Sequence, residues 1–83
     1  MAKTVKISEK PKSEIIDSMK NLGQHIKYQR TKLGLTRENT ATMCSINHQT
    51  LSKIENGNEL CNIGNVLHVA NMLGIKLIAK IEE

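Results

Sequence analysis

Four side chains between residues 48 and 53 carry the most usable chemistry in this chain: His48, Gln49, Ser52 and Lys53. Each can form hydrogen bonds, and at helical spacing they share one face while Leu51 and Ile54 take the other. Gln49 has the paired donor and acceptor that match the N6 and N7 edge of adenine, and Lys53 can donate to O6 and N7 of guanine. His48 can donate to a base acceptor or to a phosphate, with Ser52 beside it. The DNA major groove admits a helix and shows a distinct hydrogen-bonding pattern for each base pair. A polar helix face of this make-up therefore suits base recognition; the plainer alternative is an ordinary solvated face.

Other chemistries are poorly supported. The sequence has no glycine-rich loop to cradle phosphate, no nucleophile signature and no credible pair of carboxylates, so it does not read as an enzyme. Asp17 and the scattered Glu residues have capping or surface explanations. Cys44 and Cys61 form no close Cys-x-x-Cys pair, and His25, His48 and His68 fall on separate segments without ligand spacing. No metal site, cofactor or disulfide is expected, and the cysteines read as small buried or half-buried side chains.

The elements that must position the polar face come from a chain of 83 residues, enough for one domain with a small core. Trp and Phe are absent and Tyr28 is the sole aromatic residue, so the interior must be built from Leu, Ile, Val, Met and Ala. Such a core gives thin stability, and a partner subunit is expected. No apolar run approaches the ~20 residues of a membrane span, and no hydrophobic leader is seen, which points to the cytoplasm. The net charge of +4 is uneven: residues 1–32 hold eight Lys or Arg against three acidic groups, and residues 33–83 hold four against five. A basic excess at one end favours a polyanionic partner without specifying it.

Residues 1–12 form a lysine-rich arm closing near the only proline. It reads as a frayed tail, as a short strand over Thr4 to Ile7, or as a basic arm that follows phosphates. Residues 13–74 make the main domain. A first helix starts at Ser13, or after a break near Ser18, and runs to Lys32, with Ile15, Met19, Leu22, Ile26 and Leu33 as its apolar stripe. Gly23 lies within it, where a neighbour can approach closely. Thr36 caps a second helix over Arg37 to Cys44, with Ala41 small enough to let the next helix pass. Asn47 caps a third over His48 to Glu55, which Asn56-Gly57 ends. A fourth runs from Ile63 to Leu73, with Ile63, Val66, Leu67, Ala70 and Leu73 at helical spacing.

Over residues 75–83 the period changes. Ile75, Leu77, Ala79 and Ile81 alternate with Lys76 and Lys80, as a half-buried β-strand does. A lone strand leaves its backbone unpaired, so it needs a mate: residues 4–7, or the same strand of a second subunit. Strand pairing across a two-fold axis is self-complementary and would make a homodimer through Ile75, Leu77, Ala79 and Ile81. A frayed short helix is the other reading.

Leu33-Gly34-Leu35-Thr36, Ala41 and Thr50-Leu51-Ser52-Lys53-Ile54-Glu55-Asn56-Gly57 resemble the helix-turn-helix family of Cro and phage repressors, the XRE type, over residues 19–74. The resemblance implies an all-α, lambda-repressor-like bundle of about four helices. The ending Leu73-Gly74-Ile75-Lys76-Leu77, with a strand in place of a fifth helix, is similar to the HipB-type antitoxin branch. Carried over residue by residue, the resemblance puts base reading at His48, Gln49 and Lys53, with Ser52 nearby. It puts phosphate contacts at Thr36, Arg37, Thr50, Asn56 and Asn58, and a buried ion pair between Arg30 and Glu55. Arg37 stands where the family often has Gln, Ser45 where Gly is common at the turn, and Thr40 where Leu is usual; the last two imply reduced stability. Double-stranded DNA is the implied partner. The implied roles are a dimeric repressor on a near-palindromic operator that is also the antitoxin of a HipA-like kinase toxin, or a phage or mobile-element regulator without a toxin.

Overall fold

The computed structural model describes residues 5–82. The described residues hold four helices, α1 (Met19–Lys32), α2 (Arg37–Cys44), α3 (His48–Glu55) and α4 (Ile63–Met72), and no strand. Lys3, Thr4 and Glu83, which belong to the expected arm, strand and tail, lie outside the described residues.

Each helix opens on a short polar side chain that binds an otherwise unpaired first-turn amide. Ser18 accepts from the Asn21 amide at 3.1 Å, Thr36 from Asn39 at 3.0 Å, Asn47 from Thr50 at 2.8 Å and Asn62 from Gly64 at 2.8 Å. Of the two expected starts for α1, the one after Ser18 is found. Each helix also closes in one way. A residue with positive φ follows the last turn, and the next amide reaches back five residues: Leu35 to the Arg30 carbonyl, Ile46 to Ala41, Asn58 to Lys53 and Ile75 to Ala70. Gly34, Gly57 and Gly74 occupy three of these left-handed positions and Ser45 the fourth.

The core joins all four helices through Leu22, Ile26, Ala41, Cys44, Leu51, Ile54, Val66, Val69 and Leu73, with Leu35, Ile46 and Ile75 packed against it. At Gly23 an added Cβ would collide with the carbonyl oxygens of Ile54 and Glu55, so the missing side chain is what lets α1 lie on the end of α3. Two side chains tie helix ends across the bundle. The Gln29 amide donates to the Leu73 carbonyl at 3.0 Å, and His68 Nε2 donates to the Cys44 carbonyl at 3.1 Å.

Several residues expected inside are outside. Ile15 is 72% exposed and Leu33 52%, because capping at Ser18 starts the stripe at Met19 and the turn at Gly34 swings Leu33 out. On α4, Ile63 is 60% exposed and Leu67 41%, while Val66, Val69, Ala70 and Leu73 face the core. Helical spacing groups these residues on one broad band, but three short partner helices can cover only part of it.

The expected C-terminal strand is not formed. Residues 75–82 are irregular: Ile75 is half-buried against the core, while Leu77, Ala79 and Ile81 are exposed. An alternating segment becomes a strand only when a neighbour accepts its hydrogen bonds, and residues 5–7 make no ladder with it. The N-terminal arm is likewise not a strand within the described residues. The Ser8 amide donates to Thr31 Oγ1 at 2.9 Å, and His25 Nε2 donates to the Ser13 carbonyl at 2.7 Å, laying residues 8–13 along α1.

Candidate nucleic-acid interface

α3 is held as a rigid ledge. Its inner side chains Leu51 and Ile54 have no solvent exposure, whereas His48, Gln49 and Lys53 are exposed and Ser52 half-buried. At about 100° per residue, positions 48, 49, 52, 53 and 56 share an arc of roughly 140°, opposite positions 51 and 54, with buried Glu55 flanking the arc beside position 48. The amphipathic pattern that singled out these side chains thus resolves into one solvent-facing surface.

The turn into α3 fixes its angle. Ser45 has φ 57° and ψ 39°, its amide donates to the Thr42 carbonyl at 3.1 Å, and Ile46 follows with its side chain against the core. This is the left-handed position at which a glycine was to be expected, and Ser45 takes it with the strain of its Cβ. Beneath the turn, Thr40 is fully buried and its hydroxyl has no hydrogen-bond partner. Both departures from the family pattern therefore carry a cost, backbone strain at Ser45 and an unpartnered buried hydroxyl at Thr40.

The end of α3 is clamped by charge. Arg30 Nε and Nη2 donate to Glu55 Oε2 and Oε1 at 2.6 and 3.1 Å, and Arg30 Nη1 donates to the Leu35 carbonyl at 2.7 Å. Both side chains are buried, 7% and 0% exposed, so the pair links α1, the α1–α2 turn and α3 in a region of reduced solvent screening. The pairing matches the one expected. Arg37 was expected to face phosphates alone; its Nε lies 3.3 Å from Glu55 Oε1, with 35% of the side chain still in solvent. One carboxylate therefore holds two guanidinium groups, and the three charges sum to +1 at the shared start of α2 and end of α3. The sequence offered no signal for this second pairing, since residues 37 and 55 meet only after the turn has formed.

Other expected phosphate ligands ring the ledge. Asn56 and Asn58 are exposed, and Thr36 and Thr50 are half-buried. The Thr36 hydroxyl is occupied, accepting from the Asn39 amide and donating to Asn39 Oδ1 at 2.6 Å. Asn58 Oδ1 accepts from the Leu60 amide at 2.8 Å, which leaves its amide nitrogen to donate elsewhere. Lys20 was expected outside the apolar stripe of α1 but not among the phosphate ligands. Its backbone lies directly against Gly57, so the exposed Lys20 in the first turn of α1 stands beside the loop bearing Asn56 and Asn58. Of the expected dimer residues, Leu77, Ala79 and Ile81 lie in the exposed tail, apart from this surface in sequence. Among the described residues, no group of three or more His, Cys, Asp or Glu could hold a metal ion, and no helix is long and apolar enough to cross a membrane.

Comparison with known proteins adds to this geometry. A helix-turn-helix family profile matches residues 26–79, more than half of the chain. No curated protein matches. A chain of the HipB-O4 20mer complex superposes with a TM-score of 0.76 at 20% identity, covering 86% of this chain and 100% of that one. A chain of the HipA-HipB-O2-O3 complex superposes with a TM-score of 0.77, again at 20% identity and with 86% and 100% coverage. At that identity the likeness establishes a shared fold.

Proposed function

The chain belongs to the helix-turn-helix family of XRE/Cro-like DNA-binding regulators, a non-enzymatic family, and from that premise we propose that it is a sequence-specific transcriptional repressor acting as a dimer. The observation that carries this reading is the outer face of α3, where His48, Gln49 and Lys53 stand in solvent with half-buried Ser52 between them, over a fully buried inner face. Gln49 pairs with adenine, Lys53 donates to guanine, and His48 and Ser52 supply further contacts; one good bidentate pair gives ~1–3 kcal/mol of discrimination. Thr36, Arg37, Thr50, Asn56 and Asn58 fix register on the backbone. For Arg37 this means acting from its solvent-facing side while Glu55 holds its Nε. The Thr36 contribution comes from capping the first turn of α2 and so positioning it, rather than from its occupied hydroxyl.

Ile75, Leu77, Ala79 and Ile81 form the dimer strand once a second copy supplies the ladder that one chain lacks. Two subunits then present two α3 helices to half-sites ~10 base pairs apart on a near-palindromic operator. The likeness to chains from HipB complexes supports a role as antitoxin and autorepressor beside a HipA-like kinase toxin. The alternative is a phage or mobile-element regulator with no toxin, and the neighbouring reading frame discriminates the two. A mobility-shift titration tests the core of the reading, using a duplex recovered by the wild type from a random pool. His48→Ala, Gln49→Ala and Lys53→Ala remain folded but lose preference for that duplex over unrelated DNA. Unchanged preference in all three defeats the assignment.

A further inference from the structure

The arm and α1 enclose a cleft lined by three lysines, and the base-reading face makes no use of it. Lys10 and Lys12 of the arm and Lys27 of α1 line an open cavity of about 380 Å³, in which Glu9 is the one acidic residue. The arm is not a loose tail there. The Ser8 amide is bonded to the buried Thr31 hydroxyl at 2.9 Å, and the Ser13 carbonyl is bonded to His25 at 2.7 Å, so both ends of the lysine-bearing segment are pinned to α1. Three lysines against one glutamate give the lining a net positive charge, which suits an anion.

Position relative to α3 decides which anion. At about 100° per residue, Lys20, Gln24 and Lys27 lie within roughly 60° of one another on α1, next to the stripe containing Gly23. Gly23 abuts the carbonyls that end α3, and Lys20 abuts Gly57 immediately beyond it. A continuous line therefore runs from the α3–α4 loop, past Lys20, to Lys27 and the lysines of the arm. It starts at the edge of the proposed groove-facing surface and leads away from it.

We propose that this arm–α1 cleft is a second phosphate-binding track, which carries the backbone of duplex DNA flanking the half-site. The proposal rests on the DNA-binding reading above and adds to it residues that contact phosphates without touching a base. Lys10, Lys12 and Lys27 set affinity and salt dependence; α3 sets sequence preference.

The test is a fluorescence-anisotropy titration of a 40-base-pair random-sequence duplex at a series of salt concentrations, comparing the wild type with Lys10→Gln/Lys12→Gln/Lys27→Gln. Each phosphate contact contributes about −0.9 to the slope of log K against log salt, so the triple variant loses roughly 2–3 from that slope per subunit. A charge-matched control, Lys32→Gln/Lys76→Gln/Lys80→Gln, removes three lysines outside the cleft and keeps the wild-type slope. Circular dichroism confirms that both variants are folded. An unchanged slope in the cleft variant, or an equal loss in the control, overturns the track and leaves the α3 reading standing. A wild type with no salt-dependent affinity for any duplex overturns both.

Discussion

At the scale of single residues, three buried groups set how far the molecule tolerates change. Glu55 accepts from two arginines while wholly buried, so removing it strands Arg30 at 7% exposure. Loss of one partner of a buried pair costs about 3–5 kcal/mol, a large share of what so small a core supplies. Glu55→Ala is therefore expected to move the urea midpoint far toward zero, or to abolish the cooperative transition. Thr40 works in the opposite direction. Its hydroxyl is buried without a partner, so Thr40→Val is expected to stabilise by about 1 kcal/mol in the same measurement. Cys44 adds a pH dependence. Burial raises its thiol above the ordinary 9.0, so above that pH the unfolded chain gives up its proton while the folded chain keeps it. The stabilising effect of the neutral thiol is complete below pH 9.0 and is lost as pH rises through the folded value. Cys44→Ala should flatten the alkaline part of the stability profile; an unchanged profile would remove the thiol as its cause.

At the scale of elements, α1 and α3 are set by one contact between backbones. A methyl at Gly23 meets the carbonyl oxygens of Ile54 and Glu55, and backbone cannot move aside as a side chain can. Gly23→Ala, which would gain up to ~1 kcal/mol in an isolated helix, is expected to destabilise here by about 2 kcal/mol or more and to weaken DNA binding with it. Thermal melts beside binding isotherms check both effects. Most element boundaries were legible in the sequence because they depend on local chemistry. Thr36, Asn47 and the left-handed positions Gly34, Gly57 and Gly74 act within one turn of themselves. The polar face of α3 was legible for the same reason, since periodicity alone separates Gln49 and Lys53 from Leu51 and Ile54. What depends on neighbours was not legible. Ile15, Ile63 and Leu67 have the spacing of core residues but nothing to pack against, and Arg37 meets Glu55 only in the folded chain. The expected strand over Ile75 to Ile81 belongs to the same class: its alternation was legible, but a strand needs a ladder and the described residues offer it none.

At the scale of the whole molecule, the charged and apolar features divide the labour. Four short helices bury one small cluster and hold α3 at its C-terminal end through Arg30, Glu55 and Gly23, leaving its polar face outward. Basic groups lie beside that face and along α1, where the backbone contacts are proposed, while the exposed apolar tail from Leu77 to Ile81 is the segment proposed to pair with a second copy. The central claim, that the outer face of α3 meets DNA bases, is tested most directly by amide NMR. The uniformly labelled protein would be titrated with the duplex it selects from a random pool. The account predicts that the largest shifts fall on residues 48–53 and the first turn of α2. Perturbations confined to α4 or to the arm, with α3 silent, would contradict it.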